Sequence, residues 1–276
     1  MADLTIIDGH NYLFRAFYGV PAAARTKEGV QVNAVYGFFA FIRRIVSAYP
    51  DNDVFVAFDS ETGTRDKVAE MKEYKDNRTI DAGMFEQLPL IKNILDLMNI
   101  KWVEHPKYEA DDVIASMAVT WLGKAYISSN DFDFAQLVSD KIFLLRSAQG
   151  GLVNCDDAFI KSKFGVAARQ YADYLSITGD KTDNIAGAPG IGKKTAAALL
   201  NKYGDIPGIF DAAGKLPQGV RDKLVAGRER IEANRIFIAM NTGIPRDEIF
   251  SGVLPPVRKD AVLQKIAAHL EKIGIR

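Results

Sequence analysis

The chain has 276 residues, of which 48% are apolar and 25% charged, an ordinary globular balance that excludes a disordered or fibrous polypeptide. Lysine plus arginine and aspartate plus glutamate both number 35, so the formal net charge is zero and no bulk basicity marks a nucleic-acid binder. The single cysteine, Cys155, excludes an intrachain disulfide, suits a reducing compartment and reads as a small buried hydrophobe.

The length accommodates one large α/β domain, or such a domain with a helical appendix. Met1-Ala2-Asp3-Leu4 passes directly into a strand-like run, without the basic and apolar stretches of a secretory leader. A soluble cytoplasmic protein with no membrane segment is the expectation, because the longest near-apolar window, Ala34 to Ala48, is broken by Arg43 and Arg44. In chain order, Leu4 to Asp8 is a short buried strand that ends in an acid, Ala34 to Ala48 an apolar helix, and Asp53 to Asp59 a second strand with the same ending. Residues 60–82 are polar and dense in both charges, the profile of a long excursion. Helix Met84 to Met98, strand Lys101 to Glu104, helix Glu109 to Trp121 and strands Lys124 to Ser129 and Lys141 to Leu145 follow. This alternation predicts an α/β fold, a mostly parallel sheet with helices on both faces. Beyond about Ala167 helices dominate, so an α/β core over 1–166 is expected to be followed by a helical lobe over 167–276.

Ligands in such sheets bind beyond the carboxyl ends of the strands. Asp8, Asp59 and the Asp131/Asp133 pair all fall there. Glu109, Asp111 and Asp112 open a helix, with Glu109 and Asp112 on one face, and Asp180 and Asp183 bracket a glycine-led turn. Taken singly, each acid is as readily a helix-start or strand-end residue. Together they would repel one another by several kcal/mol unless cations neutralised them. Oxygen ligands suit magnesium or manganese, and the lack of clustered cysteine and histidine argues against zinc.

Gly187-Ala188-Pro189-Gly190-Ile191-Gly192-Lys193-Lys194-Thr195 has the glycine spacing of a P-loop. It fails as one, because Lys194 stands where a serine or threonine must reach magnesium and no buried strand precedes it. A helix-hairpin-helix element over about 184–203 fits better, with Gly190, Gly192, Lys193, Lys194 and Thr195 presenting backbone amides and charge to a DNA phosphate. Tyr74-Lys75-Asp76-Asn77-Arg78, with Arg65 upstream, places cations on the excursion, where a single strand could pass. Phe14, Phe17 and Tyr18 could stack on bases, although Phe17 reads better as core.

Asp8-Gly9-His10, Val35-Tyr36-Gly37-Phe38, Phe58-Asp59, Tyr74-Lys75, Glu109-Ala110-Asp111-Asp112, Asp131-Phe132-Asp133 with Gln136-Leu137, Thr178 to Asn184, and Gly190 to Ala196 together resemble the bacterial and phage 5′-nuclease family. The likeness runs from about Leu4 to about Asn241, in the family's order. It implies a PIN-like 5′-nuclease fold with a helical arch at about 60–82, and a flap-endonuclease or 5′-3′ exonuclease activity on branched or 5′-ended DNA. It further implies two divalent cations, magnesium or manganese, with Asp8 and Asp59 serving the first. Asp131, Asp133, Asp180 and Asp183 would serve the second, and Glu109, Asp111 and Asp112 would lie between. Lys75 and Arg78 match the arch residues that steer the scissile phosphate, Phe14 a base-stacking aromatic, and the glycine hairpin a duplex-binding element that also holds potassium. Phe132 departs from the lysine or glycine common between the paired aspartates. A monomer in the bacterial cytoplasm or a phage-infected cell is implied, either as a free-standing nuclease or as part of a polymerase. A non-catalytic DNA-junction binder and a PIN-like ribonuclease are the competing readings.

Affinity built on phosphate contacts must fall steeply with salt. Binding of a 5′-flap duplex is therefore expected to weaken by about tenfold or more between 50 and 200 mM monovalent salt, measured by fluorescence anisotropy. A flat salt response would contradict the phosphate reading.

Overall fold

The computed structural model describes residues 2–26, 29–60 and 81–255. Arg65, Lys75 and Arg78, and nearly all of the excursion at 60–82, lie outside the described residues, as does the tail beyond Pro255. Strand β1 (Leu4–Asp8) runs into helix α1 (Gly9–Gly19), followed by α2 (Asn33–Ala48) and β2 (Asp53–Phe58). The chain continues through α3 (Ala82–Phe85), α4 (Leu88–Leu97), β3 (Lys101–Glu104), α5 (Ala110–Thr120), β4 (Ala125–Ser128), a 3-10 turn (Asp133–Leu137), β5 (Ile142–Ala148) and β6 (Gly151–Cys155). Beyond these come α6 (Asp157–Phe164), α7 (Tyr171–Thr178), β7 (Gly179–Asp180), β8 (Ile185–Ala186), α8 (Lys193–Tyr203), α9 (Ile206–Asp211), α10 (Gln218–Ala226), α11 (Arg228–Ile238) and α12 (Arg246–Ile249). No helix of the described residues is long and apolar enough to cross a membrane.

The sheet has the order β3-β2-β1-β4-β5-β6, and only β6 is antiparallel. Strand β1 lies at its centre and is buried over all five residues, as a parallel strand covered on both faces must be. Ile7, Val54, Val56 and Phe58 pack on one face against Leu13, Phe38, Ile42, Ile91 and Leu95 of α1, α2 and α4. Leu4, Ile6, Phe55 and Ala57 pack on the other against Val113, Ile114 and Met117 of α5. That second core continues without a break through Tyr171, Ile177, Ile191, Leu200, Leu224 and Ile231 of the helical region, which therefore shares apolar burial with the sheet. The register pairs Asp8 with Ala57 of β2 and Ile7 with Ser128 of β4, so Asp8, Asp59 and the residues after Ser128 leave the sheet at the same edge.

Helix α1 was not expected from the sequence, and three further features differ from the expectation. The predicted helix Met84 to Met98 is two helices, broken at Glu86-Gln87. Gln87 is buried there, and its Oε1 accepts the Ala34 and Val35 amides at 2.9 and 3.4 Å, satisfying the start of α2, whose own N-cap Val32 offers no side-chain bond. Strand β6 folds back on β5 through Gly150-Gly151, both at positive φ. Within the region expected to be helical, β7 and β8 form a two-residue antiparallel pair that closes the Asp180–Asp183 turn.

The turn from β1 into α1 depends on Gly9, where an added Cβ would run into the Phe58 ring and come within 2.7 Å of the Ala57 carbonyl. Gly9→Ala is expected to destabilise the protein by about 1–3 kcal/mol through overpacking, read as a lowered thermal midpoint. An unchanged midpoint would contradict this packing.

Candidate metal centre at the sheet edge

Asp8 ends β1 and caps α1, and only 5% of its surface is exposed. Its Oδ1 accepts the Asn11 amide at 3.0 Å and its Oδ2 the Ser129 hydroxyl at 2.7 Å. The Ser129 Oγ in turn accepts the Asp131 amide at 3.0 Å, and Asp131 Oδ1 accepts the Asp133 amide at 2.9 Å. A continuous chain of hydrogen bonds thus links the end of β1 to the loop after β4. Asp59, directly after β2, caps α5 from a distance: its Oδ1 accepts the Ala110 amide at 2.8 Å, while Glu109, at the N-cap position, makes no side-chain cap bond. The Asp59 amide donates to His10 Nδ1 at 2.8 Å.

These side chains border two adjoining clefts. Asp8, Asp59, Asp111, Asp131 and Asp183 line the first, together with His10, Asn11, Phe14 and Thr182. Glu109, Asp111, Asp133, Asp180 and Asp183 line the second, against the segment Phe237 to Met240. Asp111 and Asp183 border both. Asp133, Asp180 and Asp183 each present a carboxylate oxygen, and these oxygens all lie within 4.8 Å of one another. Asp131 thus borders the first cleft with Asp8, Asp59 and Asp183, whereas Asp133 and Asp180, with which the resemblance grouped it, border only the second. Asp112 lines neither cleft. It is buried, and its Oδ1 accepts the Asn241 amide at 2.9 Å, tying the segment after α11 to α5.

Burial raises the pKa of Asp8 to about 7, helped by the Asp59 and Asp131 charges and opposed by the Ser129 and Asn11 hydrogen bonds. Burial, and then the carboxylates of Asp133, Asp180 and Asp131, push the Tyr171 phenol upward, so it stays protonated beside the second cleft. The described residues lining both clefts include these acids and no lysine or arginine, so both clefts are negative in character.

The expected DNA-handling residues sit around this centre. Phe14 is half-buried on the wall of the first cleft, its ring near-parallel to that of the exposed Tyr18 at 6.3 Å, whereas Phe17 is buried. Gly192 is the N-cap of α8 and makes no side-chain cap bond; Lys193 and Lys194 are exposed in its first turn, Thr195 is half-buried, and Gly190 has φ +75°. Sequence reasoning gave no role to the polar residues behind the acids, although Gln136 stood in the motif that follows Asp133. Gln136 donates from Nε2 to the carbonyls of Asp133 (2.9 Å) and Ile238 (3.2 Å), and its Oε1 accepts the Met240 amide at 3.2 Å. Ser116 donates to the Asn241 carbonyl at 2.9 Å. For Ser116 the signal was a single hydroxyl inside an apolar helix, since a buried hydroxyl needs a partner.

The chain matches the family profiles described as 5′-3′ exonuclease, N-terminal resolvase-like domain, over residues 3–165, and 5′-3′ exonuclease, C-terminal SAM fold, over residues 166–253. It is similar to a 5′-3′ exonuclease of Aquifex aeolicus, at 36% identity over 76% of this chain and 73% of that protein. It is also similar to the DNA polymerase I of Deinococcus radiodurans, at 34% identity over 99% of this chain but only 29% of the polymerase. The chain thus spans less than a third of the polymerase's length. Among solved structures, a bacteriophage T5 flap endonuclease, in a pseudo-enzyme-product complex with DNA and metal ions, superposes with a TM-score of 0.71, at 20% identity over 99% of both chains. Flap endonuclease-1 from Methanococcus jannaschii superposes with a TM-score of 0.56, at 17% identity over 98% of this chain and 89% of that one. These two share the fold. Matched by both profiles across residues 3–253, on a parallel sheet with its acids gathered at one edge, this chain belongs to the 5′-3′ exonuclease family.

Proposed function

We propose that the chain is a structure-specific 5′-nuclease that hydrolyses phosphodiesters in branched or 5′-ended DNA with two divalent cations. The observation that carries this reading is the convergence of carboxylates from five chain segments on two adjoining clefts, with three carboxylate oxygens mutually within 4.8 Å. The donor set fits magnesium or manganese: the lining acids supply hard oxygen, and the one histidine among them, His10, already accepts a backbone amide. Asp8, Asp59 and Asp131 would hold one cation and Asp133, Asp180 and Asp183 the other, with Asp111 and Glu109 between. Asp112 would serve from behind, by fixing Asn241. Bound there, the cations would supply a hydroxide nucleophile at neutral pH and charge stabilisation for the in-line displacement.

The chain's own residues orient the DNA around that centre. Lys193 and Lys194 lie at the positive end of the α8 dipole, an unfavourable place for cations by roughly 0.3–1 kcal/mol each unless an anion sits between them. A backbone phosphate of the duplex supplies that anion, with the Gly190 to Gly192 turn allowing close approach and a potassium ion belonging to the same turn. Phe14 would stack on an unpaired base at the first cleft. Lys75, Arg78 and Arg65, placed on sequence alone, would steer the scissile phosphate. The protein acts as a monomer in the bacterial cytoplasm on this reading.

Losing a direct ligand should cost more than the roughly 10–100-fold typical of losing an outer-shell partner. Asp131→Ala is accordingly expected to abolish magnesium-dependent cutting of an end-labelled 5′-flap duplex while leaving duplex binding in place; substantial residual cutting would defeat the assignment. A second expectation follows from Asp8, whose folded pKa lies above the ordinary carboxylate value. Its ionisation therefore opposes folding of the metal-free protein above about pH 7, and that opposition fades as the pH falls toward the unfolded value near 4. In EDTA, Asp8→Asn should raise the thermal midpoint at pH 8 by at least about 2 °C and have much less effect at pH 5. Equal shifts at both pH values would contradict the buried, repelled carboxylate.

A further inference from the structure

The loop bearing Asp131 and Asp133 is held from behind by β5. The parallel register pairs Ser128 with Leu145, and past the end of β4 the side chain of Asn130 takes over the ladder. Its Nδ2 donates to the Ser147 carbonyl and its Oδ1 accepts the Ser147 amide, both at 2.9 Å. The Asn130 amide donates to Asn11 Oδ1 at 3.1 Å, which ties the same residue to α1. The remaining group, the Asn130 carbonyl, accepts two hydrogen bonds from one guanidinium, Arg146 Nη2 at 2.8 Å and Nε at 3.2 Å. The same guanidinium lies over the Phe132 ring, 3.6 Å from its centroid, and Lys163 Nζ is 5.1 Å from that centroid. Arg146 therefore grips the residue before Asp131 through its carbonyl and the residue after it through its ring.

Asp131 needs that grip. Its carboxylate shares a cleft with Asp8 and Asp59, and their mutual repulsion pushes the loop away from the sheet edge. A planar fork can accept this double task, bonding in its plane while stacking with its face, and a lysine ammonium cannot. Resting on the reading under Proposed function, we propose that Arg146 is a positioning residue: its clamp on the Asn130 carbonyl and the Phe132 ring fixes the Asp131 carboxylate for the cation shared with Asp8 and Asp59. Phe132, the departure from the family pattern between the paired aspartates, is the half of the clamp that gives Arg146 a flat surface.

The test is manganese binding by the DNA-free full chain, followed by calorimetry and by electron paramagnetic resonance, with thermal midpoints in EDTA as the folding control. Arg146→Met is expected to raise the manganese dissociation constant by about 10–100-fold, with Arg146→Lys recovering part of the loss because it can still donate one bond to the Asn130 carbonyl. A merely structural role would lower the EDTA midpoint and leave the manganese constant of the folded fraction unmoved. Unchanged manganese affinity in Arg146→Met overturns the proposal, as does a loss confined to affinity for a 5′-flap duplex, which would make Arg146 a DNA contact. Should Arg146→Met fail to fold, Arg146→Lys and Phe132→Leu each remove the stacking half of the clamp, and parental affinity in both overturns it. No manganese binding by the parent chain would instead remove the metal reading itself, and the clamp would fall with it.

Discussion

Carboxylates reach one edge of the sheet from the ends of β1 and β2, the start of α5, the loop after β4 and the turn between β7 and β8, and their repulsion is the constraint that the surrounding structure has to meet. Two ionised carboxylate oxygens 4.8 Å apart repel by roughly 3 kcal/mol at an effective dielectric of 20, and several such pairs would rival the whole stability of a domain. Burial, with the Asp59 and Asp131 charges adding to it, makes Asp8 hold its proton to about pH 7 in the metal-free protein. On the proposed reading such an arrangement would store affinity for cations, since a divalent ion entering it would relieve repulsion already present in the fold.

What keeps the acids in place is a layer of neutral and cationic partners behind them. Ser129 joins Asp8 to the Asp131 amide, Asp59 terminates the free amide end of α5, and Gln136 and Asn241 fasten the segment after α11 to the 3-10 turn and to α5. Because that segment borders the second cleft, the helical region contributes to the wall of the acidic site as well as to the shared core. Fold and site are joined through the same few hydrogen bonds and through the unbroken apolar core from β1 to α11.

The parallel sheet was readable because its central strands are continuous apolar runs closed by an acid: Leu4 to Asp8 and Asp53 to Asp59 announce both the strand and its polar end. Helix α1 was not foreseen, since it opens on Gly9-His10-Asn11, and its cap is Asp8, the residue that also ends the strand. Strand β6 was missed because its middle residues are exposed and Asn154 interrupts the run; the Gly150-Gly151 pair was the available turn signal. Strands β7 and β8 are two residues each, below any periodic pattern. The acids were legible as a set because they recur at strand ends and helix starts, yet their division between clefts was not. That division depends on how the Asp180–Asp183 turn docks against Asp133, a contact between segments far apart in sequence. Arg146 carried no signal at all, for its partners are a carbonyl and a ring that only the register of β5 brings within reach.

The central claim is that the two clefts are cation sites built by opposed carboxylates. Crystals of the protein soaked in manganese, measured at the manganese absorption edge, test it most directly. The account predicts two anomalous peaks, one within coordination distance of Asp8, Asp59 and Asp131 and one within reach of Asp133, Asp180 and Asp183. Full occupancy elsewhere on the surface with neither cleft filled would contradict it.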